Sequence, residues 1–475
     1  MSRFRNRLTA FLGLLICAVT PVSAENLLDI YRLAVMYDPV LREAEASYLA
    51  RRQVMPLARS VLLPSLSLSF GGSTARQEDP NRPINFASGQ PDADILSTEF
   101  DRDASNWFIS LNQPLFDWRG YVGLQQAEKQ LAQAETDLAL TRQDLLVRVA
   151  ISYFQVLSAE DTLVSETTAR EAIGRQLEQA QRRFEVGLIA ITDVQEAQAG
   201  YDQAVAAEIG AQQAVATARE FLREIIGESV MDLAGPMDEI PLMRPDPDNA
   251  ESWVQTALDQ NLALISSRIA SDIALDDVAI QRSVRYPIVS LSGNLGESGS
   301  RTTRTNNLVA NPPCLQQAIF RCPPAQTASE SEAQSYSLSL NVTVPIYSGG
   351  VNGARIQQAV YQHRATLEAL ERVARATERE TRDAYLSVIS EIARVQALRQ
   401  AVESSQTALQ ATEAGFEVGT RTTVDVLVSQ NTLRRAQTSY ARSRYDYILN
   451  ILRLKLAAGS LTIEDLEEVS GWLEG

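Results

Sequence analysis

Phe184-Glu185-Val186-Gly187-Leu188-Ile189-Ala190-Ile191-Thr192-Asp193-Val194 returns 232 residues later as Phe416-Glu417-Val418-Gly419-Thr420-Arg421-Thr422-Thr423-Val424-Asp425-Val426. The same offset relates Leu124-Gln125-Gln126-Ala127 to Ile356-Gln357-Gln358-Ala359. Leu63-Pro64 resembles Tyr286-Pro287 at an offset of 223, so an insertion separates the anchors. Similarity at a fixed offset marks a duplicated unit. Two tandem copies, 25–235 and 236–475, account for the 475 residues better than three unrelated domains. Each copy reads as helix, strand, polar loop, strand, long helix, turn and return helix.

Upstream of each Val-Gly pair the chain is built for one long helix. Residues 118–184 hold no proline and predict a helix on the order of 100 Å long, ending by 186. Its counterpart ends by 418. Leu124, Ala127, Leu131, Ala134 and Leu138 follow 3-4 spacing, and Val388, Val395, Val402, Leu409 and Phe416 recur every seven residues. A sustained 3.5 period specifies a left-handed coiled coil. Gly187 and Gly419 suit the left-handed position after a helix end. Thr192 with Gln195 has capping-box spacing for the return helix.

Further out lie four alternating runs, near 62–72, 106–116, 286–296 and 336–347. Leu66, Leu68 and Phe70 alternate with serines, and Tyr336, Leu338, Leu340 and Val342 alternate with Ser337, Ser339 and Asn341. Period-2 alternation puts apolar side chains on one face. An ordinary half-buried sheet and a lipid-facing barrel both fit it. Pro64, Pro114, Pro287 and Pro345 mark the strand–helix junctions. Four strands cannot close a barrel, and lipid tolerates no open edges. A membrane sheet therefore needs strands from several chains; two would make a narrow barrel and three an open lumen. The stretches 72–105 and 297–335 read mostly as polar loops.

Residues 1–24 read as a secretion signal. Arg3, Arg5 and Arg7 precede an apolar run from Leu8 to Val19, and Val22-Ser23-Ala24 forms a small-residue cleavage site. Two cysteines then remain, Cys314 and Cys322, and an oxidising compartment favours a local disulfide between them. The formal charge is −16, from 59 acidic and 43 basic residues. Cleavage would take it to about −19. That balance argues against a nucleic-acid partner. The single histidine, His363, excludes a multi-histidine metal site, and no nucleophile–base constellation supports a hydrolase. A general porin draws all its strands from one chain, and this chain is too helical for that. A periplasmic coiled coil without a pore is the other alternative.

The signal peptide, duplication, four alternating strands, heptad helices and paired turns together resemble the TolC-type outer-membrane factors. The segments 184–194 and 416–427 look like that family's two signatures, and Ser439 to Ile448 also fits. The resemblance implies an α+β membrane protein and a homotrimer. Four strands per chain would make a twelve-stranded outer-membrane barrel, continuous with a coiled-coil helical tunnel crossing the periplasm. It implies an exit duct of a tripartite efflux pump or type I secretion system, not an enzyme, with no cofactor or metal. Its partners would be a periplasmic adaptor, an inner-membrane RND or ABC transporter, and outer-membrane lipid. By the same resemblance Thr192, Asp193 and Arg421 tether a periplasmic gate, and Asp425 contributes to an acidic constriction ring. The turns Val186, Gly187, Leu188 and Val418, Gly419, Thr420 would meet the adaptor. Phe416 stands where the family has a tyrosine, and Val428 where it has a second acidic residue, implying a looser latch and a less charged ring. Asp193 also has a purely local reading, as a first-turn complement to the helix dipole.

Overall fold

A computed structural model describes residues 25–79, 95–229, 232–237, 240–308 and 325–473. The signal segment 1–24 and both Cys314 and Cys322 lie outside the described residues. The helices of the first half are α1 (Leu27–Tyr37), α2 (Pro39–Arg52), α3 (Val54–Ser60), α4 (Trp118–Glu185) and α5 (Ile191–Ile226). The second half has α6 (Ala250–Gln260), α7 (Leu262–Ser283), α8 (Val351–Glu417), α9 (Thr423–Ala458) and α10 (Ile463–Ser470). The strands are β1 (Ser65–Asp79), β2 (Ile95–Phe116), β3 (Ile288–Leu308) and β4 (Ala325–Thr343). The long helices have nearly equal lengths, 68 residues in α4 and 67 in α8, and the return helices α5 and α9 have 36 each.

The chain folds as two compact units, and each draws on both halves of the sequence. One comprises Tyr48–Glu135 and Ser266–Glu371; the other comprises the described residues up to Ser47, Thr136–Ile265 and those from Arg372 onward.

The first unit carries an antiparallel sheet in the order β1-β2-β3-β4. Its register aligns the apolar positions of all four strands. Leu68, Ile109, Leu295 and Tyr336 form one row, and Leu66, Leu111, Gly293 and Leu338 the next. Among the described residues nothing covers this face: Phe70 is 78% exposed and Tyr336 87%. A half-buried sheet would hide its apolar face, so the ordinary soluble alternative fails here. The aromatic row of Phe70 and Trp107 ends the apolar zone, because Glu297 and Gln334 continue that same row.

The strands run well past this row, and much of 72–105 and 297–335 is strand, not loop. Period-2 alternation disappears there because both faces are polar. The ladder is held instead by cross-strand pairs, such as Thr74 Oγ1 donating to Asp103 at 2.8 Å and Arg76 to Asp101 at 2.6 Å. Pro114 lies inside β2, at a register shift between Pro114 and Phe116, where a missing N–H is tolerable. Gly296 is required for a close approach: a Cβ there would stand 2.3 Å from the Phe108 ring and 2.4 Å from the Trp107 carbonyl.

The second unit has its core around the middle of α4. Leu145, Val149, Ala150, Tyr153 and Phe154 are buried, as are Leu27 and Ile30 of α1, Ile226 of α5, and Tyr447, Ile448 and Leu452 of α9. The Tyr153 hydroxyl donates to the Ala234 carbonyl at 2.7 Å, and Tyr445 donates to Asp161 at 2.6 Å. Burial pushes both phenols above their ordinary range. Asp38, 1% exposed, receives Arg148 at 2.9 and 3.2 Å and caps α2 through the Leu41 amide at 2.8 Å. Burial opposes its ionisation, but these bonds outweigh it and hold the carboxyl below the usual carboxylate range.

Candidate functional site

Two helical hairpins, α4–α5 and α8–α9, present the duplicated turns. Each closes by the same backbone device. Gly187 has φ 78° and donates to the Phe184 carbonyl at 2.8 Å, while Leu188 donates to Arg183 at 2.9 Å. Gly419 has φ 79° and donates to Phe416 at 3.1 Å, while Thr420 donates to Gly415 at 2.8 Å. This is the Schellman arrangement, and an L side chain at either glycine would be strained. Val186, Leu188 and Val418 stand exposed on the tips at 69%, 73% and 76%.

Each hairpin is zipped by its own seam. Leu177 and Ala180 of α4 pack with Val194 and Ala197 of α5. Leu409 of α8 packs with Val426 and Leu433 of α9, with Val402 and Phe416 against them. Of the heptad positions, Ala127, Ala134, Leu138, Val388, Val395 and Leu409 are buried.

The return helices start differently from the expected Thr192–Gln195 box. The N-cap of α5 is Ala190, and the Asp193 carboxylate accepts the Ala190 amide at 3.3 Å. Thr192 is therefore already inside the helix, exposed. The equivalent cap of α9 is Thr422, which has the hydroxyl that Ala190 lacks. Its amide donates to Asp425 at 2.9 Å, and its hydroxyl accepts the Asp425 amide at 3.2 Å. The Thr422 amide and hydroxyl, with the nearby Arg421 charge, hold the Asp425 carboxyl below its ordinary range. Alignment of Ala190 with Thr422 at the repeat offset was the signal that locates both caps.

Arg421 lays its stem against the turn: a Cβ on Gly415 would meet Arg421 Cγ at 2.8 Å. Among the described residues of one chain, no ion pair or hydrogen bond joins Arg421 to Thr192 or Asp193. Two contacts across the hairpins are not legible in the sequence. Arg183 of α4 stacks on the Phe416 ring at 4.5 Å, and Leu427 of α9 sits where a Cβ on Gly200 of α5 would be 3.3 Å away. No signal in a single sequence pairs residues so far apart.

No group of His, Cys, Asp and Glu among the described residues could hold a metal ion. No helix among them is long and apolar enough to cross a membrane.

The profile of the outer membrane efflux protein family matches residues 30–228 and again 253–460. The outer membrane protein TolC of Vibrio cholerae serotype O1 is 34% identical over 466 residues, 98% of this chain and 97% of that one. The alkaline protease secretion protein AprF of Pseudomonas aeruginosa is 29% identical, over 94% of this chain and 87% of that one. The crystal structure of the Vibrio cholerae outer membrane protein VceC superposes with a TM-score of 0.68 at 18% identity, covering 91% of this chain and 96% of that one. The chain therefore belongs to the outer membrane efflux protein family, a family of TolC-like outer-membrane exit channels and not of enzymes.

Proposed function

We propose that three copies of this chain assemble into the gated outer-membrane exit duct of a tripartite efflux pump or type I secretion system. The observation that carries this is the uncovered apolar sheet with two unpaired edges, on the same chain as two proline-free helices about 100 Å long. Lipid forbids open strand edges, so the sheet must close with copies of itself. Three copies supply twelve strands, enough for an open lumen. The secretion class has a counterpart among the relatives, since AprF is named for alkaline protease secretion. A periplasmic adaptor would engage the exposed tips Val186, Gly187, Leu188, Val418, Gly419 and Thr420. An inner-membrane RND or ABC transporter would supply the energy.

At the periplasmic end, Arg421 would reach from one hairpin to Thr192 and Asp193 of a neighbouring chain's hairpin. Asp425, one per chain, would form an acidic ring around the axis. Cys314 and Cys322 would form a disulfide.

Purified protein in planar bilayers should give a small cation-preferring conductance, and the chain should fractionate with the outer membrane. Well-folded, inserted protein without any current would overturn the duct. The ring has its own test. A trivalent cation added from the hairpin side should block wild type, and Asp425→Asn should weaken block at least about tenfold, a loss of ~1.4 kcal/mol. Equal block of both proteins would remove Asp425 from the constriction.

A further inference from the structure

The chain carries a formal charge of −16, yet its charges are sorted where the sheet meets the helices. The four junctions are 57–65, 113–122, 279–288 and 344–356. They hold Arg59, Arg119, Arg282, Arg285 and Arg355, and a single acid, Asp117. Asp117 is engaged, since its carboxylate accepts Arg119 Nε at 3.1 Å and Nη2 at 3.0 Å. The other four arginines are exposed, and among the described residues no ion pair engages them. On α7 the nearest acids lie about two turns deeper than Arg282, and both are held. Asp276 pairs with Lys129 at 2.7 Å, and Asp277 accepts Gln126 Nε2 at 2.7 Å.

The junctions form one rim. Leu62 sits where a Cβ on Gly120 would be 2.6 Å away, and Trp118 meets Tyr286 edge-on with ring centroids 6.3 Å apart. Ile288 pairs with Thr343 across β3 and β4. Trp118, Tyr121, Tyr286 and Tyr347 stand exposed along this rim. The rim and the row of Phe70 and Trp107 bound the apolar zone from opposite ends. Trp107 to Phe116 is nine residues of β2, about 30 Å along a strand. At the ~40° tilt of a membrane strand that is roughly 23 Å of height, against an apolar band of about 25 Å in outer-membrane barrels. The rim therefore falls at headgroup level, where Trp and Tyr gather at a membrane surface. An arginine fork matches a phosphate, and its long stem lets the charge reach the headgroups from an apolar foot. Clustered arginines at that depth attract anionic lipid.

We propose that Arg59, Arg282, Arg285 and Arg355 form a basic collar that binds the phosphates of anionic phospholipids in the periplasm-facing leaflet. Three chains bring twelve such arginines to one ring. The collar rests on the duct reading above and adds to it a lipid preference. It attracts an otherwise acidic chain to an anionic surface, and it sets the depth at which the barrel sits.

The test uses wild type, the combined variant Arg59→Gln, Arg282→Gln, Arg285→Gln and Arg355→Gln, and a second variant with the same four arginines replaced by Lys. Each is reconstituted in phosphatidylcholine vesicles holding a trace of spin-labelled phosphatidylglycerol or spin-labelled phosphatidylcholine. The readout is the fraction of each label immobilised at the protein surface. Wild type should prefer the phosphatidylglycerol label about fivefold, the factor that ~1 kcal/mol gives, and the preference should shrink at high salt. The Gln variant should immobilise both labels equally, which also shows that it is inserted. The Lys variant should keep most of the preference. An undiminished preference in the Gln variant would overturn the collar. So would a wild-type preference abolished by excess inorganic phosphate at constant ionic strength, which would give the arginines to a free anion. A Gln variant that alters the ion selectivity of the pore but not the lipid preference would place them in the lumen and overturn the collar too. Immobilised lipid without preference in wild type would remove the collar and keep the duct. No immobilised lipid of either kind on folded protein would remove the lipid-facing sheet and the collar with it.

Discussion

Arg421→Ala is expected to raise the resting conductance of the inserted protein by at least about tenfold. The turn that carries Arg421 is rigid: Gly419 closes α8 with two backbone bonds, and Thr422 caps α9 through Asp425. The Arg421 stem lies on Gly415, so the guanidinium starts from a fixed base. The nearby acid Asp425 is already engaged by Thr422. Among the described residues Asp193 accepts one long bond, from the Ala190 amide at 3.3 Å, and keeps acceptor capacity for a neighbour. A charge-assisted bond contributes about 1.5–3 kcal/mol, and each 1.4 kcal/mol shifts an equilibrium about tenfold. Arg421→Lys keeps the charge but loses the planar fork, and should fall between wild type and Ala. A resting current unchanged in Arg421→Ala would discard the tether while leaving the duct intact.

Asp38→Ala should cost the folded protein about 3 kcal/mol, the largest stability loss expected of any single exchange here. Removing one partner of a buried ion pair costs about 3–5 kcal/mol, and losing an N-cap about 1 kcal/mol. The expected value sits at the lower end because Arg148 is 27% exposed and keeps Asp144 at 2.9 Å. The effect depends on pH with a definite sign. The folded carboxyl ionises below its unfolded value of about 3.9, so its contribution is fully present above that pH and disappears as pH falls through the folded value. Denaturant or thermal unfolding of wild type and variant should therefore differ strongly at neutral pH and converge in strong acid. Equal midpoints at pH 7 would show that α1, α2 and α4 are held together without this pair.

What could be read from the sequence divides along physical lines. The lower halves of the strands were legible because Leu66, Leu68 and Phe70 face one way and serines the other. The upper halves were not, because Thr74, Arg76, Asp101 and Asp103 carry no alternation and are held by pairing with strands far away in sequence. The helix ends were legible from Gly187 and Gly419, since few residues other than glycine reach that backbone angle. The cap of α5 was misplaced by two residues because Ala190 offers no side-chain signal and Asp193 alone makes the bond. The compact units interleave the two repeats, because each long helix serves both. The candidate gate residues stand out only by likeness to a family, and the contact of Arg183 with Phe416 joins helices too far apart in sequence to be read from it.

The near-identical lengths of α4 and α8, both without a proline, make them a matched pair of stiff drive shafts. Deleting one residue from either would turn everything beyond the cut by about 100° and draw it in by about 1.5 Å. The turn below would then face the wrong neighbour. Only whole heptads, about 10.5 Å each, keep the phase, and only when taken from α4 and α8 together with equal segments of α5 and α9. A chain of this design cannot adjust its reach gradually. The reach of its hairpins changes only in discrete steps.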